Sequence, residues 1–519
     1  MTSAWPLGRI SNAHLVAGGS ILFALANALL APGLSAGAGL IVLAGSAASI
    51  VMIVRLSRPA PASLLAEPVR WPTMAACGAV AVALLVLGGA GHVFYPNEDW
   101  LTRDAVLGDL VRHPLPITYS HQGREFLLRA PLGMYMVPAA IGRVSGIGAA
   151  HLALLIQNAT LLALTLYLFT IASRVSTAAF LALFVAFSGL DVIEALLTGY
   201  LRTGTIWLPR HLETANVNFQ FSSHVTQIFW VPNHALSGWW FTALAILCAR
   251  GELRVPLLAI MIAALTFWSP LAMVGALAVL LVLLVREAGQ LVVSREWWLA
   301  CAAGAGLLPV LLYLVSDAGS VPQTFLLWKD GFLAVVTIFL VFEIPHFLVL
   351  QRVWPRVEPQ LKTMLIVAAA FLVVLPVYQL GRGSDLLTRG SIVPLSLLAF
   401  VFCSQAPGLL RDPGRGLAIA TATIIALGAL TPAFEIGRAL TTRSFAISSC
   451  NVLTAWSQYD PEHWISNYMA ASERLPGWLV RADRGQAPLR VDPTKCWPDH
   501  PVNPLPMDWQ DPKNGFQWR

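Results

Sequence analysis

Residues 75–93 read AACGAVAVALLVLGGAGHV, and the chain continues through Phe94-Tyr95-Pro96 into Asn97-Glu98-Asp99-Trp100-Leu101-Thr102-Arg103-Asp104. The first part is apolar and long enough to cross a bilayer as a helix. The second sets three carboxylates and an arginine directly at its end. Ionisable groups at membrane depth are costly and mark functional sites, so this junction bears on fold class and chemistry together. The plainer reading is a solvated loop flanking a helix.

The rest of the chain has the same character. Its 519 residues are 57% hydrophobic and 12% charged, with 18 Trp, and mean hydropathy is +0.68. A soluble protein of this size carries about twice that charged fraction. The apolar runs have helical rather than barrel length, so the expected fold class is an all-α polytopic membrane protein. The formal charge of +6 is spread over short loops, which fits topology control and not a nucleic-acid-binding face.

A window of about 19 residues yields about thirteen crossing segments. They lie near 13–31, 36–54, 74–94, 149–172, 177–194, 230–249, 255–268, 270–286, 296–316, 331–352, 362–380, 391–407 and 414–433. The first reads as a retained span rather than a cleaved leader, because Arg9 is the only basic residue before it and a second apolar run follows at once. With the N-terminus in the cytoplasm, Arg55, Arg58, Arg70, Arg174, Arg250, Arg254, Arg286, Arg295, Arg352, Arg356, Lys362, Arg411 and Arg415 fall in inner loops. This holds if 131–147, broken by Pro138, lies on the outer face as an interfacial or re-entrant helix. Segments 95–148, 195–229, 317–330 and 381–390 are then external. So is the polar C-terminal segment 434–519, leaving 1–433 as the membrane domain. The expected setting is a bacterial-type cytoplasmic (inner) membrane, multi-pass, with the C-terminus extracytoplasmic.

Cys77, Cys248, Cys301 and Cys403 lie in apolar runs and read as packing residues. Cys450 and Cys496 lie in the external tail and are free to form a disulfide. The tail itself shows no helical or strand period strong enough to choose a structure. It reads as a small cap on the external loops, with or without order near 501–519.

After Asp104, apolar residues at 106, 107, 110 and 111 recur at helical spacing, giving a short amphipathic helix beside the membrane. A polar loop from Ser120 to Arg124 and Arg129-Ala130-Pro131-Leu132 follow. This order resembles the first external loop of the GT-C superfamily of membrane glycosyltransferases, which includes protein O-mannosyltransferases, lipid A aminoarabinose transferases and oligosaccharyltransferases. Glu98-Asp99 matches the acidic pair, Asp104 to Val111 the juxtamembrane helix, and Ala130-Pro131-Leu132 the return to the membrane. The sequence departs from the pattern in having two spans before the one feeding the loop, and in the Glu-Asp order of the pair.

The resemblance implies a sugar on a polyprenyl phosphate or diphosphate carrier, attacked with inversion by an acceptor hydroxyl. The acceptor is an envelope glycan, a lipid or a protein, and membrane lipids surround the site. Asp99 is the expected base, with Glu98 as its rival and Asp104 as a helper of open role. Arg103 and Trp100 flank the base, and burial against Trp100 would raise the proton affinity of Asp99. Gly381-Arg382-Gly383-Ser384-Asp385-Leu386-Leu387-Thr388-Arg389-Gly390 reads as an anion loop. Arg382 and Arg389 would hold the phosphate, with helix N-terminal amides adding to Arg389. The plainer reading pairs Arg382 with Asp385 or with lipid headgroups.

The stretch from Leu197 to Phe229 offers Arg202, Arg210, His211, Glu213, Asn216, Asn218 and Gln227 for sugar recognition, with His234 just beyond. No cofactor is demanded. Should a divalent metal bind, Asp99, Glu213 and His211 form the expected ligand set. Glu343 reads as a structural partner of His346. Two other functions stand beside the transferase: a transporter or flippase of a lipid-linked sugar, and an envelope polysaccharide polymerase.

Overall fold

The computed structural model describes residues 10–204, 211–215, 219–412, 414–481 and 487–498. It is an all-helical membrane-type architecture with a small mixed cap at one end. Among the described residues, seven helices are long and apolar enough to cross a membrane: Asn12–Gly33, Ala36–Leu56, Ile147–Ser173, Pro270–Val293, Pro359–Val377, Asp385–Leu409 and Arg415–Thr441. The pair Arg295–Ala305 and Leu308–Ser320, bent by 43°, makes an eighth if it is one span.

The other apolar runs of the sequence form shorter or broken helices. The run 74–94 is helical only to Leu87, because Gly88 and Gly89 follow and Gly89 takes φ 92°. The run 177–194 stops at Val185 and restarts at Asp191. The run 331–352 breaks between Glu343 and His346, where Pro345 removes a donor. Hydropathy counts apolar residues and is blind to such breaks.

The two ends of the bundle differ. At one, Ser11 caps the first helix, Asn12 donates to Leu64 O at 2.9 Å, and Arg55 and Arg254 both reach Glu296. Arg250 clamps Glu358 at 2.9 Å and covers the carbonyl of Ala172. At the other end the first helix turns at Ala31-Pro32-Gly33, and Leu34 bridges to Val480 of the cap.

The three-stranded sheet of the cap is built from two distant parts of the chain. Strands β1 (Thr118–His121) and β2 (Arg124–Leu128) form a hairpin whose two-residue turn, Gln122-Gly123, has φ of 50° and 75°. Strands β3 (Gln323–Phe325) and β4 (Tyr378–Leu380) pair separately. Strand β5 (Met469–Ala471) adds antiparallel to β2, with Leu127 opposite Ala470. The stretch read as a polar loop is therefore a hairpin, and the segment without a clear period supplies its third strand. The last spanning helix runs on past 433 to Thr441, so the C-terminal segment begins after it. Cys450 and Cys496 are joined by a disulfide, and Cys77, Cys248 and Cys403 are buried.

Candidate functional site

Helix Asp99–Arg112 follows the apolar helix Trp71–Leu87 after a short break. Trp100 Nε1 donates to the carbonyl of Gly88 at 2.7 Å, fixing the new helix to the terminus of the old one. Asp99 falls in the first turn, with Arg103 one turn later at 3.4 Å. Arg103 also donates to Phe229 O at 3.1 Å and to Trp230 O, covering orphan carbonyls at the end of helix His224–Trp230. Its guanidinium lies 5.2 Å from the Trp100 ring. Arg103 is thus held from several sides.

Asp99 keeps 33% of its side-chain surface open although protein surrounds it on most sides. Burial raises its proton affinity above that of an ordinary aspartate. Arg103 and Arg389 act against that rise, and Glu98 adds to it. Asp99 and Arg389 therefore feel each other's charge although they come from distant parts of the sequence.

Arg389 sits in helix Asp385–Gly390, which runs into the span ending at Leu409. It pairs with Asp385 one turn earlier and donates Nε–H to His234 Nε2 at 3.0 Å. Asn467 of the cap donates to the other oxygen of Asp385 at 2.7 Å. Helix Pro270–Val293 approaches the Gly390 carbonyl through Gly275, where any Cβ would collide with that oxygen. This close approach sets the depth of the Arg389 helix.

Two expectations for this loop need correcting. Asp385 pairs with Arg389, not with Arg382. The helix begins at Asp385, so amides near Arg389 are internal: those of Thr388 and Ser391 already bond to Ser384 and Leu387. Arg382 is exposed, and its charge acts on Asp460 of the cap.

The remaining candidates are engaged elsewhere. Asp104 accepts from Ser448 N at 3.0 Å and contacts His92 Nε2 at 3.1 Å, so it ties the helix to the C-terminal segment. Glu98 accepts from Tyr95 at 2.7 Å and is buried. Gln227 is spent on Ser222 O at 2.8 Å and on Trp239 Nε1 at 2.9 Å inside the core.

The metal set is corrected too. His211 pairs with Glu435 at 2.7 Å and stacks on Trp230, while Glu213 accepts from Ser223 N at 2.8 Å and from Gln220. Among the described residues no group of three or more His, Cys, Asp or Glu side chains is arranged to hold a metal ion. Glu343 accepts from Phe221 N at 3.4 Å, whereas His346 stacks on Phe187. Its neighbours in charge are Asp191, Glu194 and Glu213. The side chains of Arg202, Arg210, Asn216 and Asn218 lie outside the described residues.

Sequence reasoning missed Tyr459 and Tyr468. Burial and then the charge of Asp99 raise both phenols, keeping them protonated beside the carboxylate. Both lie in the C-terminal segment, where no period pointed to a fold, so nothing marked them. A cavity of about 1120 Å³ also lies in the cap, between the hairpin and helix Val452–Tyr459. It does not include Asp99. No protein-family model matches the chain, and no curated protein or solved structure matches it. The fold and site define a multi-pass helical membrane protein with an acid–arginine cluster under a disulfide-bonded cap.

Proposed function

We propose that this chain is an inverting membrane glycosyltransferase that moves a sugar from a polyprenyl-phosphate-type donor to an acceptor hydroxyl on the extracytoplasmic face. The observation that carries the reading is that Asp99, still partly open, pairs with Arg103, while Arg103 at the Trp230 carbonyl and Arg389 at His234 hold the two ends of one short stretch. Phosphate leaving chemistry needs a cation near the departing oxygen and a base near the attacking one.

In the proposed step the acceptor oxygen attacks the anomeric carbon and Asp99 takes its proton. The bond from that carbon to the phosphate oxygen breaks, and the electron pair stays on the phosphate. Arg389 stabilises that charge as a planar, always-charged donor. His234 orients Arg389, and Tyr459 and Tyr468 offer protonated hydroxyls to the sugar. The arginine-rich end of the bundle faces the cytoplasm in this reading, and the cap lies outside. The sequence's thirteen crossings belong to the same proposal, with the shorter helices completing their spans in pairs.

A second reading, a proton-coupled transporter of the same lipid-linked sugar, draws on buried Asp191, Glu213 and Glu343. Proteoliposomes loaded with radiolabelled polyprenyl-phosphate sugar and an acceptor extract separate the two. A new glycosidic bond supports the transferase. Translocation of label with the donor bond intact supports the transporter and removes the first reading.

A further inference from the structure

The cap cavity has a chemistry unlike that of the Asp99 cluster. Trp464 stacks on His121 with ring centroids 4.5 Å apart and meets Phe126 at 4.4 Å. Trp456, on the facing helix, is locked by its Nε1 donating to His463 O at 2.7 Å. Around these rings stand Asp317, Asp460 and Glu462, with Arg124 and Arg474. The charged side chains nearly balance, so the cavity suits neither a polyanion nor a phosphate.

Flat apolar rings beside carboxylates match a sugar, whose C–H faces pack on aromatics and whose hydroxyls donate to carboxylates. At about 1120 Å³ the cavity exceeds the range of roughly 300–1,000 Å³ that holds a drug-sized ligand. It has room for more than one ring. The cavity also borders the helix that packs on the site: Trp456 and Asp460 line it, and Val452 at the start of the same helix donates its N–H to Asp109 of helix Asp99–Arg112 at 2.9 Å.

We infer that the cap cavity is a binding site for an uncharged oligosaccharide, held on Trp464 and Trp456, and that the acceptor is therefore a glycan. The glycan's identity as acceptor rests on the transferase reading; its binding does not.

Calorimetry on the purified full chain in detergent tests this with neutral hexose mono-, di- and longer oligosaccharides as probes. Oligomers bind more tightly than monosaccharides, and Trp464→Ala weakens them about tenfold, the scale of one aromatic stacking contact. Trp464→Tyr keeps binding, which separates a lost platform from a misfolded cap. Asp99→Asn binds glycan as the parent does. No binding to any probe at millimolar concentration, or binding indifferent to Trp464→Ala, overturns the inference. Glycan binding in a protein that forms no glycosidic bond leaves the cavity assigned and removes the transferase reading alone.

Discussion

Arg389 donates its Nε–H to Nε2 of His234 at 3.0 Å, and that contact decides which imidazole nitrogen carries the proton. Arginine has no acceptor, so Nε2 must be bare. The proton then sits on Nδ1 and points to Ser269 Oγ at 2.6 Å. Ser269 in turn caps helix Pro270–Val293, the helix whose Gly275 sets the depth of Arg389. One chain of contacts thus aims the guanidinium.

His234 is a positioning residue in this account. His234→Ala lowers the transfer rate while leaving donor KM within a few-fold. His234→Gln recovers much of the loss, because its Oε1 reaches the place of Nε2. Steady-state kinetics on the three proteins checks the split; equal damage from both substitutions contradicts it.

Arg389→Gln removes a cation from the leaving group and lowers the rate by about 10²–10³, the range found for loss of one preorganised donor. It has a second effect. Arg389 lowers the proton affinity of Asp99, so without it the carboxyl holds its proton to higher pH. In any residual activity the acidic limb of the pH–rate profile moves upward. An unmoved limb would separate the two residues.

The parent enzyme carries its own pH signature. Asp99 is raised by burial, and a base works only when deprotonated. The rate therefore falls as pH drops through a value above the ordinary 3.8 of an aspartate. A rate constant flat down to pH of about 4 contradicts a buried Asp99 as base.

Asp109 supplies a stability test outside the site. Burial pushes its carboxyl from 3.8 up to about 6, while Tyr119 donates to it at 2.6 Å and Val452 N at 2.9 Å. The folded group holds its proton more tightly than the unfolded one. Its stabilising contribution is full below 3.8 and fades as pH rises through about 6. The two-unit rise corresponds to about 3 kcal/mol. Asp109→Asn flattens the dependence of the unfolding midpoint on pH between these values.

The disulfide Cys450–Cys496 closes 46 residues of the cap. Loop entropy gives it about 4 kcal/mol. Replacing both cysteines by serine makes the cap protease-sensitive first, while the bundle stays intact. Limited proteolysis with fragment mapping reads this directly.

The all-helical membrane character was legible in the sequence, since long apolar runs have few alternatives, but of the thirteen expected crossings seven stand as long apolar helices among the described residues. The breaks were not: Gly88-Gly89 and Ile344-Pro345 interrupt runs that hydropathy joins. The acidic junction announced itself because charge at the end of an apolar run is conspicuous. Its partners did not. Tyr468 and Asn467 reach the cluster beside β5, which docks on β2, and Tyr459 comes on a helix held to Asp109 through Val452 N; both are long-range pairings with no local signal. His211 and Glu213 looked like ligands by spacing, yet Glu435 and Ser223 take them up.

The central claim is that Asp99 accepts the acceptor's proton. The most direct measurement is the single-turnover transfer rate of Asp99→Asn in proteoliposomes, beside its thermal midpoint. The account predicts a fall of at least about 10², the lower bound for loss of a general base, with an unchanged midpoint. A well-folded Asp99→Asn protein that transfers sugar within a few-fold of the parent rate would contradict it.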